Sequence, residues 1–137
     1  MIPLSLPNLN GKEWEYVKEC LDTGWISTAG SFVDRFETEF ANYLGVDGAV
    51  SVVNGTSALH ISLQLLGVKN NDLVIMPNVT FVASANAVSY LGADPILIDI
   101  DQSSWQMDLD LLDNFFANKT SLNKNGERIL NSDKRCI

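Results

Sequence analysis

Three stretches of this chain combine residue types and spacing that could do chemistry. The first is Asn54-Gly55-Thr56-Ser57, which follows the β-branched run Ala49–Val53 and opens an apolar helical pattern. A strand, a tight turn and a helix in that order aim unpaired backbone N–H groups and the positive end of the helix dipole at one point. An anion, usually a phosphate group, is stabilised there. Gly55 lets such a ligand approach the backbone closely, and Thr56 and Ser57 add hydroxyl donors. The plainer alternative is that Thr56 or Ser57 merely caps the helix. The turn is neither a Walker A loop, because no Gly-Lys-Ser/Thr follows, nor a Gly-x-Gly-x-x-Gly dinucleotide fingerprint.

The second stretch is Met76-Pro77-Asn78-Val79-Thr80-Phe81, at the C-terminal end of an apolar run. Ligands of open α/β sheets gather at such strand ends. Phe81 there could stack on a planar ring, although its local sequence favours simple core packing. The third is Ile98-Asp99-Ile100-Asp101, two carboxylates two residues apart. It resembles the Asp-x-Asp of haloacid dehalogenase-type phosphatases, in which one carboxylate attacks phosphorus and both help hold magnesium. The sequel Gln102-Ser103-Ser104 departs from that family, and the strand comes third rather than first. A solvated strand end is the plainer reading.

Little else could be catalytic. His60 lies on the helix after the Gly-Thr-Ser turn with no serine or cysteine partner in a suggestive context, which favours a packed or capping role. Cys20 and Cys136 lie far apart and show no metal-ligand spacing, so no metal is expected. The chain carries 17 acidic against 9 basic side chains, a net charge of -8, which disfavours binding to nucleic acid or an anionic membrane. No apolar run approaches the roughly 18 residues of a membrane span. The start, Met1 to Pro7, has neither the basic nor the apolar region of a signal peptide. A reducing cytoplasm is the expected setting.

The elements that must position these residues are readable from periodicity. Asn10-Gly11-Lys12-Glu13 reads as a capping box, with Trp14, Val17 and Leu21 on one face of the helix that follows and Gly24 ending it. A second helix spans about Ser31 to Leu44, with the stripe Phe32, Phe36, Phe40 and Gly45 as its stop. Between the two lies the loop Gly24 to Gly30. Short strands are expected at Ala49–Val53, Leu73–Met76 and Ile96–Ile100. Helices at Ala58–Leu66 and Ala83–Leu91 alternate with them. Continuous apolar strands separated by helices predict a parallel sheet. Asp108 should cap a short helix from Leu109 to Phe116, and Asn125-Gly126 should form a hairpin turn in the polar tail.

Taken together, four segments resemble the DegT/DnrJ family of pyridoxal-phosphate-dependent sugar aminotransferases. They are Gly24-Trp25-Ile26-Ser27-Thr28-Ala29-Gly30, Val53 to His60, Pro77 to Ala87, and Gly92 to Asp101. Their order and spacing cover nearly all of residues 3 to 116. The opening and the tail resemble the branch that aminates nucleotide-linked 4-keto-6-deoxy sugars on the routes to bacillosamine or legionaminic acid. The resemblance implies an α/β fold, the N-terminal part of the fold type I (aspartate aminotransferase-like) large domain, with an incomplete, mainly parallel sheet flanked by helices. Residues 1–47 would form a helical segment with a substrate loop. Residues 48–117 would form the cofactor-phosphate portion, and residues 118–137 a hairpin-like tail.

The resemblance also implies roles. Gly55, Thr56 and Ser57 would hold the phosphate of pyridoxal 5'-phosphate or pyridoxamine 5'-phosphate, Phe81 would stack on the pyridine ring, and Trp25 and Thr28 would border the substrate. The implied partners are a nucleotide sugar, an amino-acid donor (usually glutamate) and a second subunit of a homodimer. The family's Schiff-base lysine and its pyridinium-pairing aspartate are expected beyond residue 137. None of Lys12, Lys18, Lys69, Lys119, Lys124 and Lys134 lies in a segment matching the lysine motif. Asp99 and Asp101 match the sheet motif, not the pairing aspartate. No catalytic residue is therefore assigned, and the chain alone is expected not to transaminate. The alternatives are a non-catalytic remnant or subunit that binds a phosphate ligand, and an Asp-dependent phosphatase.

Overall fold

Apolar residues recurring every three or four positions form the helices, and β-branched runs form the strands, in the computed structural model, which describes residues 2, 3 and 5–137. The chain divides into two compact units, Met1–Ser51 and Val52–Ile137.

The first unit holds α1 (Glu13–Thr23) and α2 (Ser31–Leu44). The Tyr16 and Phe32 rings meet at 4.9 Å between the two helices, and the Arg35 guanidinium lies 5.4 Å over the Tyr16 ring. A cleft of about 420 Å³, lined largely by apolar side chains such as Val17, Leu21, Phe32 and Phe36, runs beside them. The limits of α2 are those its periodicity predicts. Gly45 ends it at φ 69°, its amide bonding the Asn42 carbonyl, while the Val46 amide bonds that of Ala41. A residue with a Cβ would be strained in this left-handed closing turn. The capping box at Asn10 does not form. The helix begins only at Glu13, so the Glu13 carboxylate reaches back to the Gly11 amide (3.0 Å) and the cap position falls to Lys12, which makes no side-chain bond.

The expected strand at Ala49–Val53 is extended chain without a ladder. No neighbouring strand pairs with it among the described residues. A strand is defined by its partner's hydrogen bonds, so β-branched composition alone cannot make one. Val50 and Val53 are 84% and 88% exposed. The Ser51 amide is held instead by a side chain, Glu37 of α2.

The second unit holds α3 (Gly55–Leu65), β1 (Leu73–Pro77), α4 (Val82–Tyr90), β2 (Asp94–Ile98), α5 (Leu109–Lys119), β3 (Thr120–Leu122) and β4 (Arg128–Leu130). Strands β1 and β2 pair in parallel, from Leu73 opposite Asp94 to Pro77 opposite Ile98, with α4 as the crossover. This is the parallel pairing expected of apolar strands joined by a helix. The β2 strand lies two residues earlier than its apolar run suggests. Beyond Ile98 the chain turns off the ladder: the Asp99 carbonyl accepts from the Asp108 amide, and Ile100 bridges Met107. Helix α4 packs on both strands and against α3. Leu73, Met76, Ala87, Val88, Ala93 and Ile98 form the buried core.

Asp108 caps α5, its carboxylate accepting from the Leu111 amide at 3.0 Å. The tail forms the expected antiparallel hairpin, β3 with β4, through a loop in which Gly126 adopts φ 81°. Its final residues return to the sheet: the Leu73 amide donates to the Cys136 carbonyl at 2.8 Å, and Arg135 reaches Asp94 at 2.6 Å.

Candidate functional site

The most chemically equipped surface lies at the start of α3. Asn54 is extended (φ -166°, ψ 170°), and its Oδ1 accepts from the Ser57 amide at 2.9 Å. Its own carbonyl accepts from the Ala58 amide at 3.1 Å. This is the N-cap geometry, so the cap is Asn54 rather than Thr56 or Ser57. Sequence carried a signal for it: asparagine ranks above threonine as a cap, and it stands directly before the helix. With the Ser57 amide so engaged, the first two helical amides, Gly55 and Thr56, have no acceptor among the described residues. An intrahelical one is excluded by position. The Thr56 and Ser57 hydroxyls are half-buried and likewise unbonded among the described residues.

Gly55 does not adopt a positive φ, and a Cβ built on it meets nothing within 4 Å. Neither backbone conformation nor protein neighbours require glycine there. The bare backbone is open to a ligand. Two free amides, two free hydroxyls and a helix dipole fit the phosphate of a cofactor.

Phe81 immediately precedes α4, with φ -73° and ψ 137°. It is 78% exposed, which corrects the core-packing reading of its local sequence. The elements explain this. The sheet ladder runs on through the Asn78 amide to the Ile98 carbonyl (2.7 Å), and the chain then turns through Thr80 into α4, leaving Phe81 outside the core. Helices α3 and α4, which these residues open, pack on each other within one unit. His60 of α3 meets Tyr90 of α4 edge-on at 5.8 Å, a packing role.

Trp25 and Thr28 belong to the other unit, in the loop between α1 and α2. Both are exposed. The Trp25 side chain lies against Gly30, where an added Cβ would stand 3.4 Å from the Trp25 Cβ.

The two carboxylates after β2 are committed locally. Asp99 Oδ1 accepts from the Ile100 amide at 2.8 Å. Asp101 Oδ1 accepts from the Ser103 hydroxyl and from the Ser103 and Ser104 amides. The Ser103 hydroxyl first, then the Ser104 amide, hold the Asp101 carboxyl down to about 2. A carboxylate that closes its own turn is poorly placed to attack phosphorus. Among the described residues no group of three or more His, Cys, Asp or Glu side chains is placed to hold a metal ion. No helix among them is long and apolar enough to cross a membrane.

The chain is 47% identical over 119 residues to a GDP-perosamine synthase of Escherichia coli O157:H7, covering 87% of this chain and 33% of that protein. A second GDP-perosamine synthase, from Caulobacter vibrioides, is 44% identical over 119 residues, 87% of this chain and 32% of its own. This chain thus spans about a third of the length of the curated relatives it matches. Among solved structures, a sugar aminotransferase of Streptococcus pneumoniae in its PMP form superimposes with a TM-score of 0.75. That match has 33% identity and covers 82% of this chain and 28% of the other. Residues 7–125, nearly the whole chain, match one family, and the chain belongs to it: the DegT/DnrJ/EryC1/StrS aminotransferase family.

Proposed function

We propose that this chain supplies the phosphate- and ring-holding portion of a pyridoxal-phosphate-dependent aminotransferase. The enzyme passes an amino group, from glutamate, to a nucleotide-linked 4-keto-6-deoxy sugar for surface glycan biosynthesis. The observation that carries this reading is the α3 N-terminus, with two acceptor-free amides at Gly55 and Thr56 in a chain whose relatives make a GDP-linked amino sugar. The Gly55 and Thr56 amides and the Thr56 and Ser57 hydroxyls donate to phosphate oxygens. Phe81 offers its exposed ring face to the pyridine. Trp25 and Thr28 border the sugar. The cofactor supplies an electron sink, and the protein supplies binding, orientation and electrostatics.

The lysine and the pyridinium-pairing aspartate of the family are assigned to sequence outside residues 1–137. The chain by itself therefore binds without turning over, and the whole enzyme works as a cytoplasmic homodimer. Pyridoxamine 5'-phosphate tests the binding part, because it needs no lysine to be held. Titrating it into the chain should shift the Gly55 and Thr56 amide resonances saturably, and Thr56→Val should weaken the binding. Unmoved amides at both positions would overturn the reading.

A further inference from the structure

The sequence holds three Asn-Gly pairs, at Asn10-Gly11, Asn54-Gly55 and Asn125-Gly126. Such pairs can modify themselves, because glycine has no Cβ to block its amide nitrogen from the preceding side chain. All three are solvent-exposed. Their attacking nitrogens are not equivalent. The Gly11 amide is tied to the Glu13 carboxylate at 3.0 Å, and the Gly126 amide to the Asn123 carbonyl at 3.0 Å. The Gly55 amide alone of the three has no acceptor among the described residues. The Asn54 Oδ1 is also polarised by the Ser57 amide at 2.9 Å.

We infer that Asn54-Gly55 is a self-modifying bond that deamidates ahead of the other two. The Gly55 nitrogen attacks Asn54 Cγ. Negative charge developing on Oδ1 is met by the Ser57 N–H and the positive end of the α3 dipole, as an oxyanion is met by preorganised donors. The new N–Cγ bond replaces the Cγ–Nδ2 bond, and ammonia leaves carrying the proton lost by Gly55. Water then opens the cyclic imide at either carbonyl, leaving aspartate or isoaspartate at position 54. The net change is one water consumed and one ammonia released. A consequence, resting on the phosphate reading above, follows at once. The product carries a carboxylate beside the anion that the free amides would hold, and a bound phosphate, by occupying the Gly55 amide, delays the change.

Mass-spectrometric peptide mapping of the full 137-residue chain, held in mildly alkaline buffer, compares the three bonds directly. Asn54 is expected to convert about five-fold faster than Asn10 or Asn125, the factor one ordinary hydrogen bond is worth. Equal rates, or conversion led by Asn125, overturn the inference. Gly55→Ala, whose added Cβ meets nothing within 4 Å, should suppress conversion at position 54 and leave position 125 unchanged. Undiminished conversion in that variant overturns it as well. Inorganic phosphate should slow conversion at position 54 relative to positions 10 and 125. If position 54 still leads and phosphate does not slow it, the self-modifying bond stands and the phosphate reading falls.

Discussion

One carboxylate oxygen of Glu37 accepts both the amide and the hydroxyl of Ser51, at 2.7 and 2.8 Å. A side chain on α2 thereby does for an extended segment what a neighbouring strand would otherwise do. It also holds the Glu37 carboxyl below its ordinary range, through the Ser51 amide first and its hydroxyl second. A carboxyl lowered by folding adds stability above its unfolded pKa, and that stability is lost as pH falls through the folded value.

Ser51→Ala removes the hydroxyl and leaves the amide. The Glu37 carboxyl should move up towards the usual glutamate range without reaching it. Carbon-detected NMR titration of the side-chain carboxyl checks this, and an unchanged midpoint contradicts it.

Asn54→Ala deletes the α3 cap and should cost about 1 kcal/mol of stability, whereas Asn54→Ser should cost much less because serine caps comparably well. Urea denaturation of the three proteins, compared at constant slope, measures both differences.

In the loop after β2, Ser103→Ala should raise the Asp101 carboxyl from about 2 towards the ordinary aspartate value of 3.8. The stability tied to Asp101 is fully present above 3.8 and is lost as pH falls through about 2. In the variant that contribution is smaller, and its loss, which still starts near 3.8, is complete at a higher pH. An Asp101 titration followed by NMR in both proteins tests the shift.

Ala87 is 0% exposed, on the helix that packs on both strands. Ala87→Leu should overfill that space and cost about 1–3 kcal/mol. Thermal unfolding of the variant alongside the wild type reads the cost, and equal midpoints would show that α4 can move away.

The legible parts of this fold are those governed by neighbours in sequence. The α2 stripe of Phe32, Phe36 and Phe40 ends at a glycine, Asp108 stands before an apolar helix, and Asn125-Gly126 joins two short runs. Each is a local signal, and each is found where expected. The failures involve distant partners. Ala49–Val53 has the composition of a strand but no ladder, and the residue that holds it, Glu37, lies 14 positions earlier with nothing nearby to announce it. Asn10 had the right partner spacing for a box, yet the helix started too late to use it. The candidate site divides the same way. The Gly-Thr-Ser turn was visible as spacing and dipole, while the exposure of Phe81 depends on where the β1–β2 ladder releases the chain.

The acceptor-free amides of Gly55 and Thr56 also set a clock. Protons on such nitrogens trade with solvent without any part of the protein having to open, whereas those deeper in α4 and in the β1–β2 ladder wait for cooperative opening of the unit around them. In deuterated water the start of α3 should therefore label almost at once beside a slow core. A guest anchored by those two nitrogens would convert a fast-labelling point of the second unit into a slow one, so its arrival can be timed without any chemistry taking place.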